Sequence, residues 1–316
     1  MPDLNFNTEA RSVVAAWGSS VQGKTVVITG TSEKTLGAAT AIHIAKCSPA
    51  EIILLARSEN KVRNVLTVIN DISPQTTALF VPVELDDFDS VRHAAQSIRN
   101  RVRQIDVLIN NAGVMAIPWE KNKDGIEKSL ATNHLGHFLL TKLLMPSILA
   151  SGPGSRIINL TSAGYGMAPF DFDDWNFSDG KTYNRFAAYG QSKTANILFT
   201  AGLAERYAEH GVYSYAVHPG YIPGTSLVAH LPDLSADEMD SIAREKTGCS
   251  FAPDKPKSEE EGVATTLVAA LSPDLKDHNG AYLADCQVRR TRQYACDHEL
   301  VERLWKLSED LVGETF

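Results

Sequence analysis

Short runs of β-branched and aliphatic residues alternate along the chain with longer stretches whose apolar positions recur every three to four residues. Strands are predicted over Thr25–Thr29, Ile52–Leu55, Leu79–Val83, Val107–Ile109, Arg156–Leu160, Tyr213–Val217 and Ala281–Ala284. Between them, Gly37–Lys46, Ser90–Arg101, Asn133–Leu149 and Ala188–His210 read as amphipathic or alanine-rich helices. Strands joined by helical crossovers imply an α/β class: a doubly wound parallel sheet of about seven strands with helices on both faces. Such a sheet binds ligands beyond the carboxyl ends of its strands, where the strand order reverses. Two segments break the rhythm. Residues 163–187 form a long aromatic-rich insertion, read as a substrate loop. Residues 223–257 contain prolines without a strand pattern and read as a lid. Residues 1–22 read as an N-terminal extension packed outside the sheet, and residues 23–316 as one domain.

Two phosphate-binding patterns compete within GSSVQGKTVVITGTSEKTLG, residues 18–37. Gly18 to Thr25 matches a P-loop letter for letter, but such a loop must join a strand to a helix. Here Gly23-Lys24-Thr25 runs directly into the strand Val26-Val27-Ile28, so the match is a decoy. The second pattern, Thr29 to Gly37, follows a strand and precedes the helix-prone Ala38-Ala39-Thr40-Ala41-Ile42. Its backbone donors and the positive end of the helix suit a pyrophosphate.

The chain has 316 residues, 43% of them hydrophobic, and a formal net charge of -8. That charge argues against general affinity for nucleic acid or an anionic membrane. Cys47, Cys249, Cys286 and Cys296 form no CxxC pair and no histidine cluster has ligand spacing, so neither disulfides nor a metal site is expected. The acidic run Asp171, Asp173 and Asp174 reads as a loop face or cap. The N-terminal residues carry no long apolar run, so no signal peptide or membrane anchor is expected, and a cytoplasmic setting is.

Three further motifs accompany the Thr29-Gly30 loop: Asn110-Asn111-Ala112-Gly113 after a strand, Tyr189-Gly190-Gln191-Ser192-Lys193 opening a helix, and His218-Pro219-Gly220 ending a later strand. In this order and spacing they resemble the short-chain dehydrogenase/reductase family, over roughly residues 22–290. RIINLTSAG, AYGQSKTANILF and NHLGHFLLT resemble its retinol-dehydrogenase-like branch and fungal relatives. The resemblance implies a Rossmann-type fold and carbonyl–alcohol interconversion with a nicotinamide cofactor. It places catalytic roles on Asn133, Ser162, Tyr189 and Lys193. A tyrosine hydroxyl, with an ordinary pKa near ~10, needs help to move a proton near neutrality. Lys193 lies one helical turn beyond Tyr189, on the same face, and its ammonium favours the phenolate. Ser162 would hydrogen-bond the substrate oxygen, and Asn133 would hold a water behind Lys193. The residues also have plainer readings: an exposed Tyr–Lys pair, a turn-forming serine and a satisfied buried asparagine.

The expected cofactor is NADP(H). The second strand ends Ala56-Arg57, with alanine where an NAD-specific site carries an acid and with an arginine suited to a 2′-phosphate. Lys34 adds a second cation. By the same resemblance the cofactor contacts extend over Gly30, Ser32, Thr35, Leu36, Gly37, Glu84, Leu85, Asn111, Ala112, Gly113, Pro219, Gly220, Ile222 and Thr225, with Tyr189 and Lys193. The loop departs from the family in two respects. It is one residue longer than usual, and Thr35 stands where the middle glycine is expected. The longer loop is read as keeping Thr35 in an ordinary conformation, with its hydroxyl free for a phosphate oxygen. Glu84 replaces the usual aspartate, and one inserted residue displaces Thr225. Tyr165 and Tyr221 are the expected substrate contacts, and the loop aromatics suggest a pocket for a lipophilic or aromatic carbonyl compound, as in secondary metabolism. A homo-oligomer is compatible with the family. The alternatives are a non-redox protein on this fold, sensing cofactor or binding a partner, and an isomerase or cyclase using the same pocket.

Overall fold

The first strand, β1 (Thr25–Thr29), is buried at every position and lies between β2 (Glu51–Ala56) and β4 (Val107–Asn110). The computed structural model describes residues 4–229, 231 and 235–316. With β3 (Thr77–Pro82), β5 (Arg156–Leu160), β6 (Tyr213–His218), β7 (Tyr282–Ala284) and β8 (Gln287–Arg289), these strands form one sheet in the order β3-β2-β1-β4-β5-β6-β7-β8. All pairings are parallel except β7–β8. The order reverses between β1 and β4, so a crevice opens above Thr29 and Asn110, where such folds take their ligands.

Side-chain alternation along the strands builds two cores. Val27, Ile53, Leu108 and Ile157 face the layer of α4 (Phe88–Arg99), α6 (Gly136–Ala150), α7 (Arg185–Tyr207) and α10 (His298–Val312). Val26, Ile28, Ile52 and Ile109 face α1 (Ala10–Trp17), α2 (Leu36–Ala45), α3 (Arg63–Ile72) and α9 (Glu259–Leu271). A short α5 (Lys128–Leu130) passes through a π-helical turn, Ala131–Leu135, into α6, and α8 (Ala236–Thr247) covers the carboxyl end of the sheet. Local chemistry sets the helix starts: Asp87 caps α4, and Ser258 with Glu261 forms a capping box on α9. α1 buries Ala10 and Val13 against α9, so the N-terminal segment joins the outer layer on that face.

The predicted strands and helices fall close to the observed ones, and the sheet gains an eighth strand. β8 returns antiparallel through Asp285 and Cys286, both with positive φ (52° and 61°). This is hairpin geometry that usually selects Asn-Gly, so the sequence carried no turn signal for it. The P-loop match falls on a 3₁₀ turn, Gly18–Val21, leading into β1, and the Lys24 Nζ stands 4.0 Å from Asp106. The segment read as a lid contains α8 and, before it, turns at 223–224 and 226–229; its residues 230 and 232–234 lie outside the described residues.

Candidate active site

Above the crevice lies a cavity of about 770 Å³ that runs from the β1–α2 loop to α7 and the 219–228 segment. At one end the loop turns at Gly30 (φ 71°), where a Cβ would stand 2.7 Å from the Ala112 Cα. Gly37 packs just as closely, because a Cβ there would meet both the Gly30 carbonyl and the Asn111 amide at 2.5 Å. Asn111 Nδ2 donates to the carbonyls of Thr29 (2.9 Å) and Gly30 (3.2 Å), which ties the loop to the end of β4. Thr35, at φ -115°, is the N-cap of α2: its hydroxyl accepts from Ala38 N and donates within the loop, 2.7 Å from Gly30 O and 2.6 Å from Ser32 O. The left-handed conformation falls instead on Lys34 (φ 61°). At the first turn of α2, the N–H groups of Leu36 and Gly37 have no acceptor among the described residues.

At the other end, Tyr189 and Lys193 stand on α7, and both are buried (3% and 4% exposed), so they are no solvated surface pair. Gly164 makes room for the phenol, since a Cβ there would stand 2.8 Å from Tyr189 Cε1. Burial pushes the Tyr189 phenol up to about 12, against a smaller opposing pull from the Ser162 hydroxyl. Burial also brings the Lys193 ammonium down to about 8. Lys193 Nζ donates to Leu160 O at 3.0 Å and lies 5.6 Å from the centre of the Tyr189 ring. Ser162 Oγ accepts from Gly164 N (3.0 Å), leaving its own proton to donate.

Asn133 sits in the π-helical turn and is fully buried, with its amide entirely used: Oδ1 accepts from Val114 N, and Nδ2 donates to Val114 O and Ser192 Oγ. A Cβ on Gly113 would stand 3.1 Å from Asn133 Oδ1 and 3.4 Å from Lys193 Nζ, which locates the two side chains behind the same glycine. His137 extends this network. The Thr29 hydroxyl accepts from the backbone N–H groups of Asn111 and Ala112, so it donates to His137 Nε2, and His137 Nδ1 donates to Asn133 O (3.0 Å). A continuous chain thus joins the tip of β1 to the turn that carries Asn133.

A family model described as short chain dehydrogenase matches residues 24–173. Retinol dehydrogenase 12 of Bos taurus is 36% identical over 291 residues, covering 92% of this chain and 87% of its own. The chain belongs to the short-chain dehydrogenase family. Within it the chain falls in the retinol-dehydrogenase-like branch of oxidoreductases. An uncharacterized oxidoreductase of Schizosaccharomyces pombe is 35% identical, covering 92% of this chain and 86% of its own. A crystal structure of an uncharacterized protein from Mycobacterium paratuberculosis superposes with a TM-score of 0.72 at 29% identity, covering 98% and 99% of the two chains.

In this short-chain dehydrogenase the cavity wall includes Gly30, Ser32, Thr35, Leu36, Arg57, Glu84, Leu85 and Asn111 to Gly113 at one end. It includes Ser162, Tyr189, Lys193, Pro219 to Ile222 and Thr225 at the other. Despite the inserted residue, Thr225 reaches the wall. Lys34 is exposed beside the cavity, while Gly37 and Asn133 act from behind it. Burial, then repulsion from Asp86, holds the Glu84 carboxyl above its usual range, and Arg57 opposes both.

Three expectations are corrected. The Thr35 hydroxyl is committed to its own loop and not to a ligand. Tyr165 is absent from this wall: the 3₁₀ turn Ala163–Met167 directs it towards Tyr282 and Tyr294, and its hydroxyl accepts from Arg292 N. The loop aromatics also pack elsewhere, Phe170 in the core under α7 and Phe177 against Tyr183. The apolar part of the wall is instead built by residues such as Met115, Ile117, Met167, Leu227, Met239 and Phe251, of which Met115, Met167, Met239 and Phe251 cluster with Tyr189. Met115 and Ile117 stand two and four residues beyond the Asn-Asn-Ala-Gly motif, a positional signal that the sequence did offer. Lys61, beside Arg57, and the linking His137 were not anticipated.

Proposed function

We propose that the chain is an NADP(H)-dependent oxidoreductase that interconverts a lipophilic ketone or aldehyde and its alcohol. The observation that carries this is the convergence of Ser162, Tyr189 and Lys193 on one end of a cavity whose other end offers a glycine-lined loop and Arg57. The residues fit a dinucleotide. Gly30 and Gly37 bring backbone close together, and the free N–H groups at the start of α2 suit a pyrophosphate. Arg57 and Lys61 stand in the wall where a 2′-phosphate would lie, and the neighbouring Ala56 offers no carboxylate to a ribose 2′-hydroxyl.

When bound, the nicotinamide would supply or accept the hydride at the carbonyl carbon. Ser162 Oγ donates a hydrogen bond to the substrate oxygen and holds it beside Tyr189. The phenol of Tyr189, kept protonated at neutral pH by burial, delivers its proton to that oxygen as negative charge develops there. In the opposite direction the phenolate takes the proton from the alcohol. Lys193, hydrogen-bonded to Leu160 O, is mostly charged below pH 8 and stabilises the phenolate left after proton transfer. The thioether and aliphatic walls from Met115 to Phe251 suit an apolar substrate body. A cytoplasmic setting goes with this reading; among the described residues no helix is long and apolar enough to cross a membrane. The feature that favoured a non-redox protein, Thr35 in the glycine loop, has an ordinary backbone conformation and lends that alternative no support.

The test is cofactor consumption with a panel of apolar ketones, comparing NADPH with NADH. NADPH is expected to be preferred, and Arg57→Ala to weaken NADPH binding about tenfold while sparing NADH, the scale of one charge-assisted hydrogen-bonded pair. Equal use of both cofactors, unchanged in the variant, would overturn the NADP assignment.

A further inference from the structure

A second cavity, of about 560 Å³, lies behind the reaction cavity and shares with it the walls formed by Ala163, His218, Gly220, Phe251 and Asp254. Its lining differs sharply from the acid-rich chain around it. Lys255, Lys257, Arg289, Arg290 and Arg292 face it, against only two carboxylates, Asp254 and Asp285. Both carboxylates are already engaged. Asp285 pairs with the buried Lys257 (2.8 Å), and Asp254 accepts from His218 Nε2 (2.8 Å). His218 is fixed as the Nε2–H tautomer, because its Nδ1 accepts from Ala163 N (3.0 Å) and Gly220 N (3.4 Å).

Lys255, Arg289 and Arg290 form no ion pair among the described residues, and Arg292 bonds only to neutral groups, Thr247 Oγ1 and the Ser250 carbonyl. Four cations are thus left without a carboxylate around one concavity, in a protein of net charge -8. Lys255, Arg289 and Arg290 are solvent-exposed, so their mutual repulsion is largely screened, but a concave site lined mainly by one sign of charge still concentrates its field on an anion. Tyr165, Tyr282, Phe6 and Phe251 supply aromatic surface to the same walls. Guanidinium forks beside aromatic faces recognise planar carboxylates or phosphates carried on an organic body. The volume falls within the range of small-molecule sites.

We infer that this cavity binds an organic anion, a carboxylate or phosphate on an apolar body, one wall away from the reacting groups. The inference builds on the proposed function only in taking the reaction cavity as its neighbour. Ala163 and Gly220, which flank that cavity, are held by His218, whose other nitrogen faces the anion site through Asp254. The anion is either the acidic tail of the substrate or a separate small molecule.

The experiment titrates the full-length protein with 2-naphthoate and with its neutral analogue 2-naphthamide by calorimetry. Each is run with and without saturating adenosine 2′,5′-bisphosphate, which occupies the dinucleotide end of the reaction cavity. Naphthoate is expected to bind about tenfold or more tightly than the amide, with the bisphosphate making no difference. The double variant Arg289→Ala/Arg290→Ala should lose that preference at an unchanged melting temperature, as should Lys255→Ala in part, whereas Arg57→Ala should retain it. Equal binding of acid and amide, or a preference that survives in the double variant, overturns the site. No turnover is needed, so failure of the proposed reaction leaves this test intact.

A second arm identifies the source of the anion. If it is the tail of the substrate, a carboxylate-bearing ketone has a lower KM than its methyl ester, and the gap closes in the double variant. If it is a separate molecule, the two ketones have equal KM values while naphthoate still binds.

Discussion

Lys34 carries a backbone cost that Thr35 escapes. The extra residue in the β1–α2 loop moves the left-handed position back by one, so a β-branched threonine sits at an extended φ and caps the helix instead. Two stability predictions follow from that arrangement. Lys34→Gly should stabilise the fold by up to about 1 kcal/mol in urea unfolding, since glycine adopts positive φ freely. Thr35→Ala should destabilise it by about 1 kcal/mol through loss of the cap, with Thr35→Ser restoring most of the loss. Destabilisation by the first, or no effect of the second, would contradict this reading of the loop. The apparent defect was visible in the sequence, and its resolution in part: residue order announced a longer loop, but only the backbone shows which residue bears the strain. Tyr189, Lys193 and Ser162 were singled out by the resemblance, whose motifs set the first two one turn apart on a helix and the third at a strand end. Tyr165 misled because adjacency to Ser162 in sequence says nothing about which way a 3₁₀ turn points its side chain.

Among the elements, the π-helical turn and the end of β1 are coupled by buried polar atoms. The Thr29 hydroxyl satisfies two backbone donors and His137 at once, so it sets the relative positions of β1, β4 and α6 beneath the site. Thr29→Val keeps the side-chain shape and removes all three bonds. It should cost on the order of 2 kcal/mol in urea unfolding, because the Ala112 N–H and one ring nitrogen are left unpaired, while Asn111 N keeps the Ile109 carbonyl. A loss below about 0.5 kcal/mol, the lower bound for a single net hydrogen bond, would show that the network is not structural. Nothing in the hydrophobic pattern of Asn133–Leu149 distinguishes the π-turn from ordinary helix, which is why the sequence reading placed one continuous helix there. The strands were easier to find, because runs such as Val26-Val27-Ile28 are buried on both faces and carry no polar interruption. β8 was not, because Val288 is exposed and its turn is made by Asp285-Cys286.

For the whole molecule, buried ionisable groups make stability depend on pH. Burial brings His134 down to about 3 and His137 to about 4, so both remain neutral in the folded chain well below their ordinary range. As pH falls below about 6.5, the unfolded chain takes up protons that the folded chain refuses, and stability declines. Each histidine should cost on the order of 2 kcal/mol between pH 6.5 and pH 5, before most carboxylates titrate. Urea unfolding at pH 7 and pH 5 checks this, and equal stabilities at the two values would contradict it. At this scale the sequence was also informative: the alternation of strands and crossovers fixed a parallel sheet, and the four ordered motifs fixed the end of it that carries the site. The cation-lined cavity was not legible, because Lys255 and Arg289, Arg290 and Arg292 lie on segments far apart in sequence that contacts such as Arg292 to Thr247 and Lys257 to Asp285 bring together.

The most direct test of the central claim, proton transfer by Tyr189 in a nicotinamide-dependent reduction, is the rate of NADPH consumption by Tyr189→Phe with a ketone that the native protein reduces. Phenylalanine retains the buried ring and removes only the hydroxyl. A fall in kcat of roughly 10²–10⁴-fold is expected, the usual contribution of a positioned acid–base group, with NADPH binding unchanged. A variant that turns over at the native rate while binding NADPH normally would contradict it.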